Sequence, residues 1–245
     1  PSEVPASVPQ SGELWTCHAS AYDGEEFSPE QTASVRIPAE FAGWETSSVN
    51  LKDSDYIFIG EHDNDAAGAS LSLVGDVDAD GLGDFVIPAY FNDEGAEDAG
   101  KVYLVRGADL SDGPGTYALS EMPFAFTGQT ATEEAGHATA PAGDVDGDGL
   151  DDFLICGYRN DDPVTDVGRV YLITGSSLVT PGVRSTATAT VTFIGEAENN
   201  RLGHSIGTAG DMDGDGLPEP LMGAYGHAAV GLNSGKTYIV PGSSL

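Results

Sequence analysis

Apolar and polar residues alternate along this chain in short bursts. Apolar runs of four to seven residues are closed off by Gly, Asp and Asn, and no stretch keeps an apolar face at helical spacing. From residue 51 onward the bursts come in sets. The innermost is rich in small residues (69–74, 138–142, 205–209), as suits crowding near a central axis, and an acidic loop follows it directly. The second is almost wholly apolar (85–90, 153–158, 221–225) and is expected to be buried on both faces. A third lies at 102–105, 170–173 and 237–240, and a fourth, outermost one at 56–59, 124–127 and 191–194. Each burst predicts a short strand.

Glycines keep the step. Gly75, Gly143 and Gly210 precede the acidic loops at intervals of 68 and 67 residues. Gly60, Gly128 and Gly195 hold the same interval, as do Gly68, Gly136 and Gly203, and Gly100, Gly168 and Gly235. A register kept at that many points marks homologous units, and repeats of this kind bury their apolar faces against their neighbours. Four-stranded antiparallel units repeated along a chain predict an all-β fold of β-propeller blades.

The loops read Asp76-Val-Asp-Ala-Asp-Gly-Leu-Gly-Asp84, Asp144-Val-Asp-Gly-Asp-Gly-Leu-Asp-Asp152 and Asp211-Met-Asp-Gly-Asp-Gly-Leu-Pro-Glu219. Carboxylates at positions 1, 3 and 5 alternate along the chain, so a tight wrap turns them toward one hard cation, and oxygen-only ligation suits Ca²⁺ rather than a transition metal. An EF-hand opens alike but needs a Glu at position 12 and flanking helices. Position 12 here is Ile87, Ile155 or Met222, and a strand follows. Asp/Gly-rich turns also exist without an ion. Against that stand four acidic side chains in nine residues, three times over, which repel one another without a cation. Gly81, Gly149 and Gly216 permit the positive φ that the turn needs. The third loop stands apart, because Glu219 is a methylene longer than Asp and Pro218 stiffens the approach.

The run Gly-Asp-x-Asp-x-Asp-Gly-x-x-Asp, followed by a strand ending Pro-Ala-Tyr90, Cys-Gly-Tyr158 or Gly-Ala-Tyr225, resembles the FG-GAP repeats of integrin α-subunit propellers and their bacterial relatives. The resemblance covers residues 51–245. The family's Phe-Gly reads Ala67-Gly68, Ala135-Gly136 and Leu202-Gly203, and Tyr replaces the Pro of Gly-Ala-Pro. It implies three such blades within a seven-bladed ring. It also implies side-chain ligation by Asp76, Asp78, Asp80 and Asp84, by Asp144, Asp146, Asp148 and Asp152, and by Asp211, Asp213, Asp215 and Glu219, with the carbonyls of Leu82, Leu150 and Leu217, for three Ca²⁺ per chain. In the family the metal loops lie away from the usual ligand surface, so a protein or glycan ligand would meet residues 61–67, 129–135 and 196–201.

The expected organisation is 61–127, 128–194 and 195–245 for the three blades, the last lacking its outer strand, with 43–60 a linker and outer strand. Residues 56–59 offer themselves as the missing strand through ring closure, and further blades would come from a longer parent or another copy. Residues 1–42 do not follow the repeat. They read as the last strands of an immunoglobulin-like domain, with Trp15 and Cys17 on the penultimate strand, or as a degenerate blade.

Charge and chemistry narrow the function. The 245 residues carry a formal charge of −31, which three Ca²⁺ would bring to about −25, and so acidic a surface argues against nucleic acid and anionic membranes. Cys17 and Cys156 lie in unlike segments and indicate no disulfide framework. No signal peptide or membrane-spanning run is present and the chain starts at Pro1, as a processed product or a fragment would. Calcium modules working near millimolar concentration point to an extracellular or cell-surface place. Of the histidines His18, His62, His137, His204 and His227, His137 and His204 are repeat-equivalent, with Ala69 in the first unit, which favours a structural role. The acidic hairpins 92–98 and 160–166 read as solvated turns. No nucleophile elbow, phosphate loop or zinc spacing appears. The expectation is a noncatalytic, calcium-binding propeller segment for adhesion or ligand recognition. Its alternatives are part of a secreted enzyme acting on polysaccharide or phospholipid, and a spacer in a surface protein.

Overall fold

A computed structural model describes residues 51–245 and the backbone of two earlier strands, β1 (Leu14–Ala19) and β2 (Gln31–Arg36). The chain divides into two compact units, Pro1–Ser54 and Asp55–Leu245. In the first, β1 and β2 form an antiparallel pair with Cys17 opposite Ala33. An antiparallel strand pair is common to an immunoglobulin-like end and to a degenerate blade. The remainder of that assignment falls outside the described residues.

The second unit holds fourteen strands, β3 (Tyr56–Ile59), β4 (Ser72–Gly75), β5 (Asp84–Ala89), β6 (Lys101–Val105), β7 (Gly115–Ala118), β8 (Phe124–Thr127), β9 (Thr139–Gly143), β10 (Asp152–Gly157), β11 (Arg169–Ile173), β12 (Gly182–Ser185), β13 (Val191–Ile194), β14 (Leu202–Thr208), β15 (Pro220–Ala224) and β16 (Lys236–Ile239). The first blade runs β4-β5-β6-β8, the second β9-β10-β11-β13 and the third β14-β15-β16. All these neighbours are antiparallel, and one register repeats: Phe85 faces Val105, Phe153 faces Ile173 and Leu221 faces Ile239. The fold is all-β, and the helical turns among the described residues are short 3-10 pieces.

Alternation along a strand sends successive side chains to opposite faces, and β10 uses this to join two blades. Phe153 and Ile155 pack into a buried cluster with Val86, Val102, Leu104 and Phe126 of the first blade. Leu154 enters another with Leu202, Met222 and Ala224 of the third. Phe126 and Phe153 meet edge to face with centroids 5.8 Å apart. All of β10 is buried, as its unbroken apolar run requires. Cys156 is among these residues, a free thiol that burial pushes up to about 12, so it serves as a small hydrophobe.

Three features depart from expectation. The innermost strands are shifted, starting at Ser72, Thr139 and Leu202. Two further strands appear: β12 leaves β11 and pairs in parallel with β8 of the first blade, while β7 leaves β6 and pairs in parallel with β3 in a two-stranded sheet of their own. Ring closure by 56–59 is not made. Among the described residues β3 pairs only with β7, and β16 only with β15.

Candidate metal centres

Each acidic loop spans the hairpin between the innermost and second strands, and the strand register holds its two ends. Asp84 opens β5 opposite Gly75 and Asp152 opens β10 opposite Gly143. Position 2 then plugs the loop into the next blade. Val77 is fully buried in the cluster containing Phe153 and Ile173, and Val145 in the cluster containing Met222. The equivalent Met212 is 63% exposed. Gly81, Gly149 and Gly216 take φ of 86°, 90° and 94°, the left-handed turn for which Gly is suited.

The position 9 carboxylate is the anchor. Asp84 is completely buried; its Oδ2 accepts from the Val77 N–H at 2.8 Å and its Oδ1 from the Gly107 N–H at 2.9 Å. Asp152 repeats this with Val145 and Gly175, both at 2.9 Å. Position 1 is tied to the turn, with Asp76 Oδ2 accepting from Gly81, Asp144 Oδ2 from Gly149 and Asp211 Oδ2 from Gly216. Position 5 accepts from the N–H of position 7 in all three: Leu82 to Asp80 at 2.7 Å, Leu150 to Asp148 at 2.9 Å and Leu217 to Asp215 at 2.8 Å.

Ligand atoms of Asp76, Asp78 and Asp84 lie within 4.8 Å of one another, as do those of Asp144, Asp146 and Asp152, while Asp80 and Asp148 stand outside their sets. In the third loop Asp211, Asp213, Asp215 and Glu219 all come together. The loop that departs most in sequence is thus the one whose four acids converge, Glu219 having the longer reach.

Two oxygens test whether these sets suit a cation. Asp78 Oδ1 and Glu219 Oε1 are buried with no hydrogen-bond partner. An orphaned buried carboxylate oxygen costs about 1–3 kcal/mol or more unless an ion or water meets it. Electrostatics agree. Burial, chiefly, raises the Asp84 carboxyl against the pull of two backbone N–H groups and lifts Asp152 to about 6, with neighbouring loop acids adding to both. Oxygen-only donors with unspent acceptor capacity and mutual repulsion fit a hard divalent ion.

At the opposite ends of the same blades the buried acids are met by protein donors, although His137 Nδ1 and His227 Nδ1 are buried there without a partner. Antiparallel connection places the loops after the outer strands, and those between the second and third strands, away from the metal loops. Glu61, His62 and Asp65 also cluster there, yet the Lys101 ammonium, buried, sits 2.8 Å from Glu61 and 2.5 Å from Glu94. Burial works against both charges of the Glu61–Lys101 pair. Even so, Glu61 is held below its usual range and Lys101 above its own, because each hydrogen-bonds the other, and Tyr103 donates to Glu61 as well. In the second blade buried Glu133 accepts from the Gln129 and Thr130 N–H groups and from the Tyr171 hydroxyl. The hairpins 92–98 and 160–166 are equivalent turns, with Asn92 and Asn160 each accepting from the N–H two residues on at 3.0 Å.

A ladder of rings, not foreseen from sequence, crosses this end. Tyr90, His137, Tyr158, His204 and Tyr225 follow one another with centroid separations of 5.6, 4.5, 5.3 and 4.6 Å. The signal was present, since a Tyr ends every second strand and a His follows two of the marker glycines. Only folding brings residues 67 apart into contact, as with the His137 and His204 rings at 5.3 Å.

Repeated antiparallel sheets, two of four strands and the last of three, joined face to face and carrying an acidic loop on each first hairpin, define β-propeller blades. Residues 67–105 and 135–173 match the FG-GAP repeat family, so the chain carries FG-GAP repeats and its sheets are their blades. The third unit, with Pro218 and Glu219, lies outside the matched residues. Among curated relatives, integrin alpha-IIb of Homo sapiens is 28% identical over 204 residues, 80% of this chain and 18% of the relative. Integrin alpha pat-2 of Caenorhabditis elegans is 30% identical over 64% of this chain and 13% of the relative. Integrin alpha-PS2 of Drosophila melanogaster is 33% identical over 61% and 11%. The chain thus spans less than a fifth of the length of these relatives.

Proposed function

We propose that this chain is a noncatalytic, integrin-like propeller segment for adhesion or ligand recognition outside the cytoplasm, ordered by three Ca²⁺ ions. The observation that carries the calcium reading is the set of buried, unpartnered carboxylate oxygens, Asp78 Oδ1 and Glu219 Oε1, inside acid clusters that recur at the repeat interval. The ions would be held by Asp76, Asp78, Asp80 and Asp84, by Asp144, Asp146, Asp148 and Asp152, and by Asp211, Asp213, Asp215 and Glu219, with the carbonyls of Leu82, Leu150 and Leu217. Their work is structural. In the first two loops the ion fixes a segment whose second residue, Val77 or Val145, plugs the next blade, and so sets the angle between blades; in the third, where Met212 is exposed, it orders the loop alone.

Recognition of a protein or glycan belongs to the other end. Two features support this: the partly exposed ring ladder, and a cavity of about 510 Å³ edged by Asn199, Arg201, Tyr225, His227 and Asn233. Similarity to integrin α chains supports an adhesive role.

Calorimetric titration of metal-stripped protein, with thermal melts at matching calcium concentrations, tests the reading. An ion that binds only the folded state must raise its melting point. Three ions per chain and a rising melting point are expected. No heat and no shift at millimolar calcium would leave the loops bare turns.

A further inference from the structure

The first two metal loops are bonded to each other in a way that the second and third are not. Asp151 is position 8 of the second loop. Its Oδ2 accepts from the Asp76 N–H at 2.9 Å, and its own N–H donates to the Asp76 carbonyl at 3.1 Å. Asp76 is position 1 of the first loop, so one ligand residue there is clasped on both backbone groups by the neighbouring loop. Gly75 makes room for the clasp, because a Cβ at that position would lie 2.1 Å from Asp151 Oδ2. Val77, the next residue, donates to the buried Asp84 of its own loop and packs in the cluster with Phe153. The backbone at 76–77 is therefore gripped by the position 9 carboxylate of one loop and the position 8 residue of the other.

At the next joint position 8 is Pro218, which has no carboxylate and no N–H. Neither bond of the clasp can form. The Pro218 ring lies against Gly143 instead, where a Cβ would meet its Cγ at 2.9 Å.

We propose that Asp151 couples ion uptake by the first two loops, which fill cooperatively, while the third fills independently. The inference rests on the calcium reading above. Drawing Asp152 into an ion's shell orders the adjoining Asp151, and an ordered Asp151 holds Asp76 where its side chain ligates. The Asp151 charge also lies beside the first loop and favours a cation there. Because coupling is reciprocal, an ion in the first loop favours filling of the second by the same factor.

Site-by-site occupancy is read from the amide resonances of Gly81, Gly149 and Gly216, each of which donates to the position 1 carboxylate of its own loop. The experiment is a calcium titration of the full chain, of Asp146→Ala, which empties the second loop, of Asp151→Ala, and of the double variant. Emptying the second loop should raise the Gly81 midpoint at least about fivefold, the lower end of ordinary coupling. With Asp151 already replaced, only the backbone bond of the clasp remains, so Asp146→Ala should shift the Gly81 midpoint much less than it does in the unaltered chain, and Gly216 should keep its midpoint throughout. An unchanged Gly81 midpoint in Asp146→Ala, or an undiminished response to it after Asp151→Ala, overturns the coupling while calcium binding stands. Glycine amides that ignore calcium in the unaltered chain would instead refute the calcium reading itself. Should Asp151→Ala lose amide dispersion, Asp151→Leu, which keeps the side-chain bulk but has no acceptor for the Asp76 N–H, completes the same cycle. Full coupling retained there overturns the role of the carboxylate, and coupling reduced supports it.

Discussion

The two ends of each blade solve the same electrostatic problem in opposite ways. At the metal-loop end, acids gather with no protein cation on most of them, and buried oxygens are left without donors. At the other end Glu61, Asp65 and Glu133 are also buried or nearly so, yet each is met by a side chain or backbone donor from its own blade. The sequences follow suit. Loop positions 1, 3, 5 and 6 are the same in all three repeats, whereas Asp65, Glu133 and Asn200 stand at one equivalent position. On the calcium reading proposed above, an ion would call for the same donor types in every loop, while an internal network can be rebuilt from different parts, provided its charges are met.

The largest effect should come from removing the ion, which acts at one end only. Extracellular calcium modules bind at about 0.1–1 mM. In about 10 mM calcium each such site would add roughly 1.4–2.7 kcal/mol by mass action, and three sites several kcal/mol together. Melting curves with excess chelator should therefore fall well below those in calcium. Equal curves would erase the difference between the ends.

Lys101→Met strikes the other end. It leaves Glu61 with the Tyr103 hydroxyl but no cation and half-exposed Glu94 free to turn to water, and loss of one partner from a buried pair costs about 3–5 kcal/mol. The loss should be the same with calcium or chelator. Acid should act on this pair as well. Since Glu61 is held below its usual value of 4.5, its contribution is complete above that pH and fades as the pH falls through the depressed value. In chelator, the unaltered chain should lose stability over that window more steeply than Lys101→Met. Parallel pH profiles would remove Glu61 from the account.

Asp84→Asn addresses the anchor shared by ion and backbone. The amide keeps one acceptor for the Val77 or Gly107 N–H and loses the other, at about 1–3 kcal/mol in chelator. In calcium the cost should grow by the stabilisation from the first site, roughly 1.4–2.7 kcal/mol. A cost independent of calcium would make Asp84 a purely structural carboxylate.

How much of this was legible beforehand divides along the same line. The loop acids, the marker glycines and the doubly buried second strands could be read because identical residue types recur at a fixed step. The parallel strands β7 and β12 could not. Gly115–Ala118 and Gly182–Ser185 are short, half exposed and of mixed polarity, and what orders them is a parallel partner far back in the chain, β3 for the one and β8 for the other. Nor could the ladder through His137 and His204, since the Ala69 that marks the position as tolerant says nothing about which rings meet. Spacing places four carboxylates in each loop. It does not show that Asp80 and Asp148 stand apart from their sets, or that Asp78 and Glu219 keep an oxygen in reserve.

Glu219→Asp is the smallest change and the finest probe, because it gives the third loop the residue found at position 9 in the other two. The Met212 N–H that Glu219 accepts at 2.6 Å would then need a shorter arm, as Asp84 and Asp152 provide for Val77 and Val145. Chelated protein should change by about 1 kcal/mol or less, the scale of one hydrogen bond. Calcium affinity at the third loop, read from Gly216, should weaken by up to about tenfold if the long arm is what brings Asp215 into the set. An unchanged or tighter midpoint would mean that convergence of all four acids confers no advantage, and that Asp80 and Asp148 serve their loops equally well from outside.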